Sequence, residues 1–207
     1  MVDIYHKYTK YMSKAAKIVF AGQTNVGKSS IVYRIYGSDV NPYTTPTIGA
    51  AFIRKRETRN NETVCLDIWD TAGQERYRSI STFYFRSAIY CILVFDLSDA
   101  VSFQNIHSWK QLSDNANLEF PTQPIYILIG NKSDLKNRAV SADMVKEYCR
   151  VNNIHSYVET SAWTGAGVST LYDMLVTHIF SHGTATLPSS GPLDRVTKLT
   201  SNGGCAC

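Results

Sequence analysis

An α/β domain is predicted, with a mostly parallel six-stranded sheet and helices on both faces, and three observations predict it. Strand-like and helix-like segments alternate from residue 16 to residue 182. The first strand runs through a glycine-rich loop directly into a helix. The polar segments most suited to chemistry, at residues 22–29, 70–75, 131–134 and 161–162, each follow a strand. A parallel sheet with right-handed crossovers would gather them at one edge, the carboxyl ends of its strands.

Residues 1–15 carry Lys7, Lys10 and Lys14 against the single acid Asp3. A solvated flexible extension is expected here, although Ile4, Tyr8 and Tyr11 fall at i, i+4 and i+7 as on a short amphipathic helix. Ala16–Ala21 is an apolar run of strand length, and Ser30–Tyr36 repeats apolar residues at helical spacing. Between them lies Gly22-Gln23-Thr24-Asn25-Val26-Gly27-Lys28-Ser29. In a strand–loop–helix context this G-x-x-x-x-G-K-[ST] pattern turns successive backbone N–H groups toward phosphate oxygens, beside the positive end of a helix. Lys28 would reach the outer phosphates and the Ser29 hydroxyl a divalent cation.

Residues 37–49 are rich in turn formers and read as a long loop, of a length that tends to be functional in a compact domain. Ala50–Thr58 and Thr63–Trp69, separated by Arg59-Asn60-Asn61-Glu62, form a predicted hairpin. It ends in Asp70-Thr71-Ala72-Gly73-Gln74-Glu75, where a carboxylate at a strand end precedes a glycine free to approach a ligand. Strands follow at Ile89–Asp96, Ile125–Gly130 and Ser156–Thr160, and helices at Ser102–Asn117, Ser141–Asn152 and Val168–His182. From residue 183 the chain is Thr, Pro, Ser, Gly and Asn with little to bury, a flexible tether ending in Cys205-Ala206-Cys207.

At 207 residues the chain suffices for one core plus tails, and its net charge of +4 is mild. No basic stripe with interleaved aromatics is present, so a nucleic-acid partner is not expected. The longest apolar run, Ala88–Phe95, is too short to span a bilayer, and residues 1–17 lack the apolar core of a signal peptide. Of five cysteines, Cys65, Cys91 and Cys149 sit in apolar segments as reduced thiols would in a reducing compartment.

Asn131-Lys132-Ser133-Asp134 follows a buried strand and places a carboxylate where it can accept from both the ring N–H and the amino group of guanine. Adenine has no such ring N–H, and an acid left without donors disfavours it. Glu159-Thr160-Ser161-Ala162 would bring a backbone N–H to the guanine carbonyl.

The five elements Gly22–Ser29, Thr47-Ile48-Gly49, Asp70–Gln74, Asn131–Asp134 and Ser161-Ala162 together resemble the small GTPases of the Ras superfamily, over roughly residues 16–181. Ile48–Phe52, Trp69–Tyr77, Arg78-Ser79-Ile80, Tyr84–Ala88 and the Cys-x-Cys end resemble the Rab family in particular, and the double alanine Ala50-Ala51 its early-endosomal branch.

The resemblance implies a P-loop G domain over residues 16–182. By the same resemblance it would act as a GTP-binding switch with slow hydrolysis to GDP, using Mg2+, in endosomal or other vesicle traffic. It implies nucleotide contacts from Gly22, Thr24, Asn25, Val26, Gly27, Lys28, Ser29, Ser30, Thr47, Gly73, Asn131, Lys132, Asp134, Ser161, Ala162 and Trp163. Ser29, Thr47 and Asp70 would hold the metal, Gln74 would orient the attacking water, and Ile48, Phe52, Trp69 and Tyr84 would face effectors. Cys205 and Cys207 would carry geranylgeranyl groups. The implied partners are an exchange factor, a GTPase-activating protein, effectors, an escort protein, a GDI-type carrier and a geranylgeranyl transferase. They would act on a monomer in the cytoplasm and at the cytosolic face of endomembranes.

Three residues depart from the family pattern. Thr24 replaces glycine or serine and is expected to crowd Gln74. Val40 replaces a base-packing aromatic. Trp163 replaces a lysine and is expected to cover the base. If Thr24 disturbs the site enough, the alternative is a nucleotide-locked binding module; an ATP-dependent phosphotransferase is the rival that Asp134 argues against.

Overall fold

The computed structural model describes residues 14–38, 47–73 and 78–182. Strands run at β1 (Lys14–Ala21), β2 (Ala50–Arg59), β3 (Glu62–Thr71), β4 (Tyr90–Asp96), β5 (Ile125–Asn131) and β6 (Ser156–Glu159). Helices run at α1 (Lys28–Tyr36), α2 (Arg78–Phe85), α3 (Ala100–Gln104), α4 (Ile106–Ala116), α5 (Ala142–Val151) and α6 (Val168–His182). The sheet has six strands in the order β2-β3-β1-β4-β5-β6, parallel except where β2 runs against β3. This is the mostly parallel α/β architecture expected.

The alternation of side chains along each strand explains the near-continuous apolar runs, because both faces are covered. On one face Ile18, Phe20, Ile92, Val94, Ile127 and Ile129 pack against Ile31 and Ile35 of α1 and Leu171, Leu175 and Ile179 of α6. On the other, Val19, Cys91, Leu93, Phe95 and Leu128 pack against Phe85, Ile106, Trp109 and Val145. Cys65 and Cys91 are buried free thiols, whereas Cys149 is only partly buried. Among the described residues no helix is long and apolar enough to cross a membrane.

Several boundaries differ from the expectation. β1 begins at Lys14, two residues early, because the parallel ladder to β3 already pairs Lys14 with Val64 and Ala15 with Cys65. The hairpin turn is only Asn60-Asn61, both at positive φ (48° and 63°), the twist that suits a two-residue connection. The single helix expected over 102–117 is two. Asp99 caps α3 at the Val101 N–H, and Asn105 ends α3 and starts α4. Helix α2 is an addition to the expected elements: its eight residues begin four positions after Gln74 and carry no acid in the first turn and no base in the last to announce a helix.

Lys17 in β1 is half-buried, its Nζ donating to the Arg86 carbonyl at 2.8 Å and lying 5.4 Å from the Trp69 ring centroid. Burial pushes its ammonium down from 10.5 to about 8, with Asp67 pulling partly back. Between those two values the unfolded chain binds more protons than the native one, so this residue makes stability rise with pH across that window. In Lys17→Met that rise, roughly 1–2 kcal/mol after solvent screening, is expected to disappear. Urea midpoints of both proteins between pH 8 and 10.5 measure it; parallel pH profiles would contradict it.

Candidate functional site

The sheet register aligns the carboxyl ends of β1, β3, β4 and β5: Phe20 pairs with Asp70, Ala21 with Leu93, and Asp96 with Asn131. At this edge the chain leaves β1 through Gly22 and enters α1 at Gly27, whose φ of 94° is left-handed. A β-carbon there would lie 2.2 Å from Nδ2 of Asn131, so the loop requires glycine at that point. No side chain caps α1 and no acid lies in its first turn. Its first amides are therefore left for a ligand, and the helix dipole favours an anion there.

Lys28, 5% exposed, donates to the carbonyls of Gly22 and Gln23, both at 2.9 Å. Burial lowers its pKa to about 8, against the pull of Asp70. Among the described residues it forms no salt bridge. A buried ammonium bonded only to neutral carbonyls is an incompletely compensated charge, and an anion at the helix terminus completes it.

Asp70, 4% exposed, accepts from Ser29 Oγ at 2.6 Å and from Thr47 Oγ1 at 3.3 Å, and the two hydroxyls lie 2.9 Å apart. Both contacts use Oδ2. The buried Oδ1 has no hydrogen-bond partner. Burial raises the Asp70 pKa, and the Ser29 hydrogen bond, the Lys28 charge and the Thr47 hydrogen bond partly offset it. Two hydroxyls converging on a carboxylate with a free oxygen is an all-oxygen donor set of the kind Mg2+ takes alongside substrate phosphates. The residues fit that ion.

Gly73 seals the same corner. A β-carbon on it would lie 2.4 Å from Thr24 N and from the Gln23 carbonyl carbon, so its backbone rests on the glycine loop. Thr24 is exposed. Gln74 lies outside the described residues, as do Val40, residues 1–13, and Cys205 and Cys207, so the expected crowding of Gln74 by Thr24 has no described geometry.

The other end is a pocket lined by Asn25, Gly27, Ser30, Asn131, Lys132, Asp134, Leu135, Ala162 and Trp163. Asn131, 1% exposed, ties its walls together. Its Nδ2 donates to the Val26 carbonyl at 2.8 Å, and its Oδ1 accepts from Thr160 Oγ1 at 3.0 Å and the Ala162 N–H at 3.1 Å. Lys132 is paired with Asp96 at 2.7 Å. Burial tends to raise the Asp96 carboxyl, but hydrogen bonds from Lys132 and Ser98 outweigh it and hold it below its ordinary value.

Asp134 is bonded to Ser161 Oγ at 2.5 Å and is exposed, so the acid is not buried in advance; a base entering the pocket would desolvate it. Trp163 is 60% exposed at the rim. Sequence reasoning missed Leu135 in the pocket wall, and Arg34, whose guanidinium holds the carbonyls of Ala162 and Trp163 at 2.9 and 2.8 Å. Leu135 follows Asp134 directly and was legible; Arg34 sits on α1 with no sequence signal at all.

On the outer surface Phe52, Trp69 and Tyr84 form a row, with ring centroids 5.0 and 5.5 Å apart. All three are half-buried, while neighbouring Ile48 and Phe83 are 80% and 62% exposed.

The family model described as Ras family matches residues 17–181. The chain is 37% identical over 166 residues to the Ras-related protein rab-11.1 of Caenorhabditis elegans, covering 79% of this chain and 76% of that one. It is 35% identical over 170 residues to the Ras-related protein Rab-9A of Rattus norvegicus (82% and 85% covered), and 35% over 166 residues to the Ras-related protein YPTC6 of Chlamydomonas reinhardtii (79% and 74%). With the glycine loop, the oxygen cluster and the Asn131–Asp134 pocket on one edge of this sheet, these matches show that the chain belongs to the Ras family of small GTPases, in its Rab branch.

Proposed function

We propose that the chain is a guanine-nucleotide switch of vesicle traffic that hydrolyses GTP slowly. The observation that carries the reading is the pairing of Lys28, buried without a salt bridge among the described residues and next in the chain to Gly27 of the pocket that holds the acceptor Asp134, with the orphaned Oδ1 of Asp70.

Phosphoryl transfer needs positioning and neutralisation of charge more than covalent chemistry. The loop amides of residues 24–29 and the Lys28 ammonium bind the phosphate oxygens. The Ser29 and Thr47 hydroxyls would hold Mg2+, with Asp70 behind them ordering both; bound there, the ion would supply neutralisation of charge on the phosphates. Gln74 orients the attacking water. Thr47 and Gly73 bind the third phosphate, so its loss frees both segments, and that release is the signal. Among the described residues no arginine is placed to finish the charge stabilisation in cis, so fast turnover belongs to an activating partner, an effect of roughly 10³–10⁵ in rate.

Ile48 and the Phe52–Trp69–Tyr84 row form the surface that effectors read in the GTP state. Cys205 and Cys207 take two geranylgeranyl chains, which give a stable anchor where one chain is marginal. A transferase with its escort protein, a GDI-type carrier and an exchange factor complete the cycle at the cytosolic face of endomembranes. The Ala50-Ala51 pair favours an endosomal membrane.

The test is a single-turnover assay on the purified chain loaded with GTP and magnesium, with bound nucleotide analysed over time. Wild type is expected to convert GTP slowly to GDP and to take up no ATP, while Gln74→Leu retains GTP. Indifference between GTP and ATP would overturn the reading. Undiminished GTP in wild type would make the chain a nucleotide-locked binding module instead.

A further inference from the structure

Helix α1 contacts the nucleotide site twice. Its first residues, Lys28 and Ser29, serve the phosphate end. Near its last turn Arg34 reaches 128 residues along the chain, where Nε donates to the Ala162 carbonyl at 2.9 Å and Nη2 to the Trp163 carbonyl at 2.8 Å.

These carbonyls belong to consecutive peptide planes. A trans peptide is rigid, with C=O and N–H pointing in opposite directions, so fixing the Ala162 carbonyl also fixes the Trp163 N–H on the opposite side of the plane. The neighbouring Ala162 N–H is held on Asn131 Oδ1 at 3.1 Å. The Trp163 N–H makes no hydrogen bond to the described residues, and Ala162 and Trp163 both line the purine pocket. One guanidinium thereby sets an unengaged donor at the pocket wall, and its two bonds form the planar fork that arginine, unlike lysine, presents without further ordering.

We propose that Arg34 is a positioning residue for base recognition: it aims the Trp163 N–H at the 6-oxo group of the purine. It also ties the base-reading loop to the helix that grips the phosphates. This rests on the guanine-nucleotide reading above and assigns to the 6-oxo group a share of selectivity separate from that of Asp134, which faces the ring N–H and 2-amino group.

The experiment compares release of GDP, 6-thio-GDP and inosine diphosphate from the full chain with magnesium, in wild type, Arg34→Ala and Arg34→Lys. The thio analogue alters only the 6-position acceptor, and the inosine nucleotide lacks only the 2-amino group. Arg34→Ala is expected to speed GDP release by roughly 10- to 100-fold, the loss of two charge-assisted hydrogen bonds. Its GDP to 6-thio-GDP ratio should fall toward one, with the GDP to inosine diphosphate ratio unchanged. Arg34→Lys should recover part of the first ratio.

An equal weakening of all three nucleotides, or wild-type release from both variants, would overturn the proposal and leave Arg34 a helix anchor only. Should Arg34→Ala not fold, Arg34→Lys decides by the same ratios. If wild type itself failed to prefer GDP over ADP, the functional reading would fail instead, and that comparison needs no Arg34 variant.

Discussion

Asp134→Asn is expected to weaken GDP binding by about 10²- to 10³-fold, the range for truncating one side of a charged hydrogen-bonded pair, and to gain affinity for xanthosine diphosphate. A carboxylate only accepts, and guanine presents two donors side by side, the ring N–H and the 2-amino group. An asparagine amide offers one acceptor and one donor. Xanthine keeps the ring N–H and replaces the amino group by an oxo group, so its pattern complements the amide where guanine leaves two donors opposed.

The structure sharpens this expectation, because Asp134 is exposed and its only described hydrogen bond is from Ser161 Oγ at 2.5 Å. Its desolvation cost arises only when the base arrives, so the substitution acts on the bound state more than on folding. Competition of GDP against the xanthine nucleotide, with melting temperature as a control, measures both effects. Unchanged base preference would exclude Asp134 from the pocket chemistry.

Asp70→Ala is expected to raise the magnesium concentration needed for GDP retention by about 10- to 100-fold, the usual effect of losing an outer-shell carboxylate. Asp70 Oδ2 orders the two hydroxyls of Ser29 and Thr47 at 2.6 and 3.3 Å, while Oδ1 is buried with no partner. Removing the carboxylate frees both hydroxyls and deletes the negative charge that acts on Lys28. At saturating magnesium most of the loss should be recovered, which separates a metal role from loss of fold. Titrating magnesium against release of a fluorescent GDP measures it. A shift no larger than in a surface variant would argue that Asp70 only caps the strand end.

The sheet was legible because a parallel strand covered on both faces is a near-continuous apolar run, as from Tyr90 to Phe95, and because strand and helix lengths alternate cleanly. The segments proposed to hold phosphate and purine were legible as candidates because each is a short stretch whose chemistry lies in consecutive residues. Where the reading failed, the deciding contacts were tertiary. Lys14 joins β1 because β3 supplies a partner. The break at Asn105 coincides with the Asn105 amide reaching Gln23 Oε1 at 3.1 Å, across the sheet edge. Helix α2 packs on α4 through Phe85, which a local pattern does not announce.

By itself the sequence determined the class of ligand and the order of the parts, since amide-lined loops, an acid at a strand end and an Asn-Lys-x-Asp turn are properties of neighbouring residues. Only the tertiary structure decided how those parts are held to one another. Asn131 bridges Val26, Thr160 and Ala162, and Arg34 binds the loop at Ala162 and Trp163. The physical reason is that a hydrogen bond depends on distance and direction in space, and residues a hundred positions apart acquire these only when the sheet brings its strand ends to one edge.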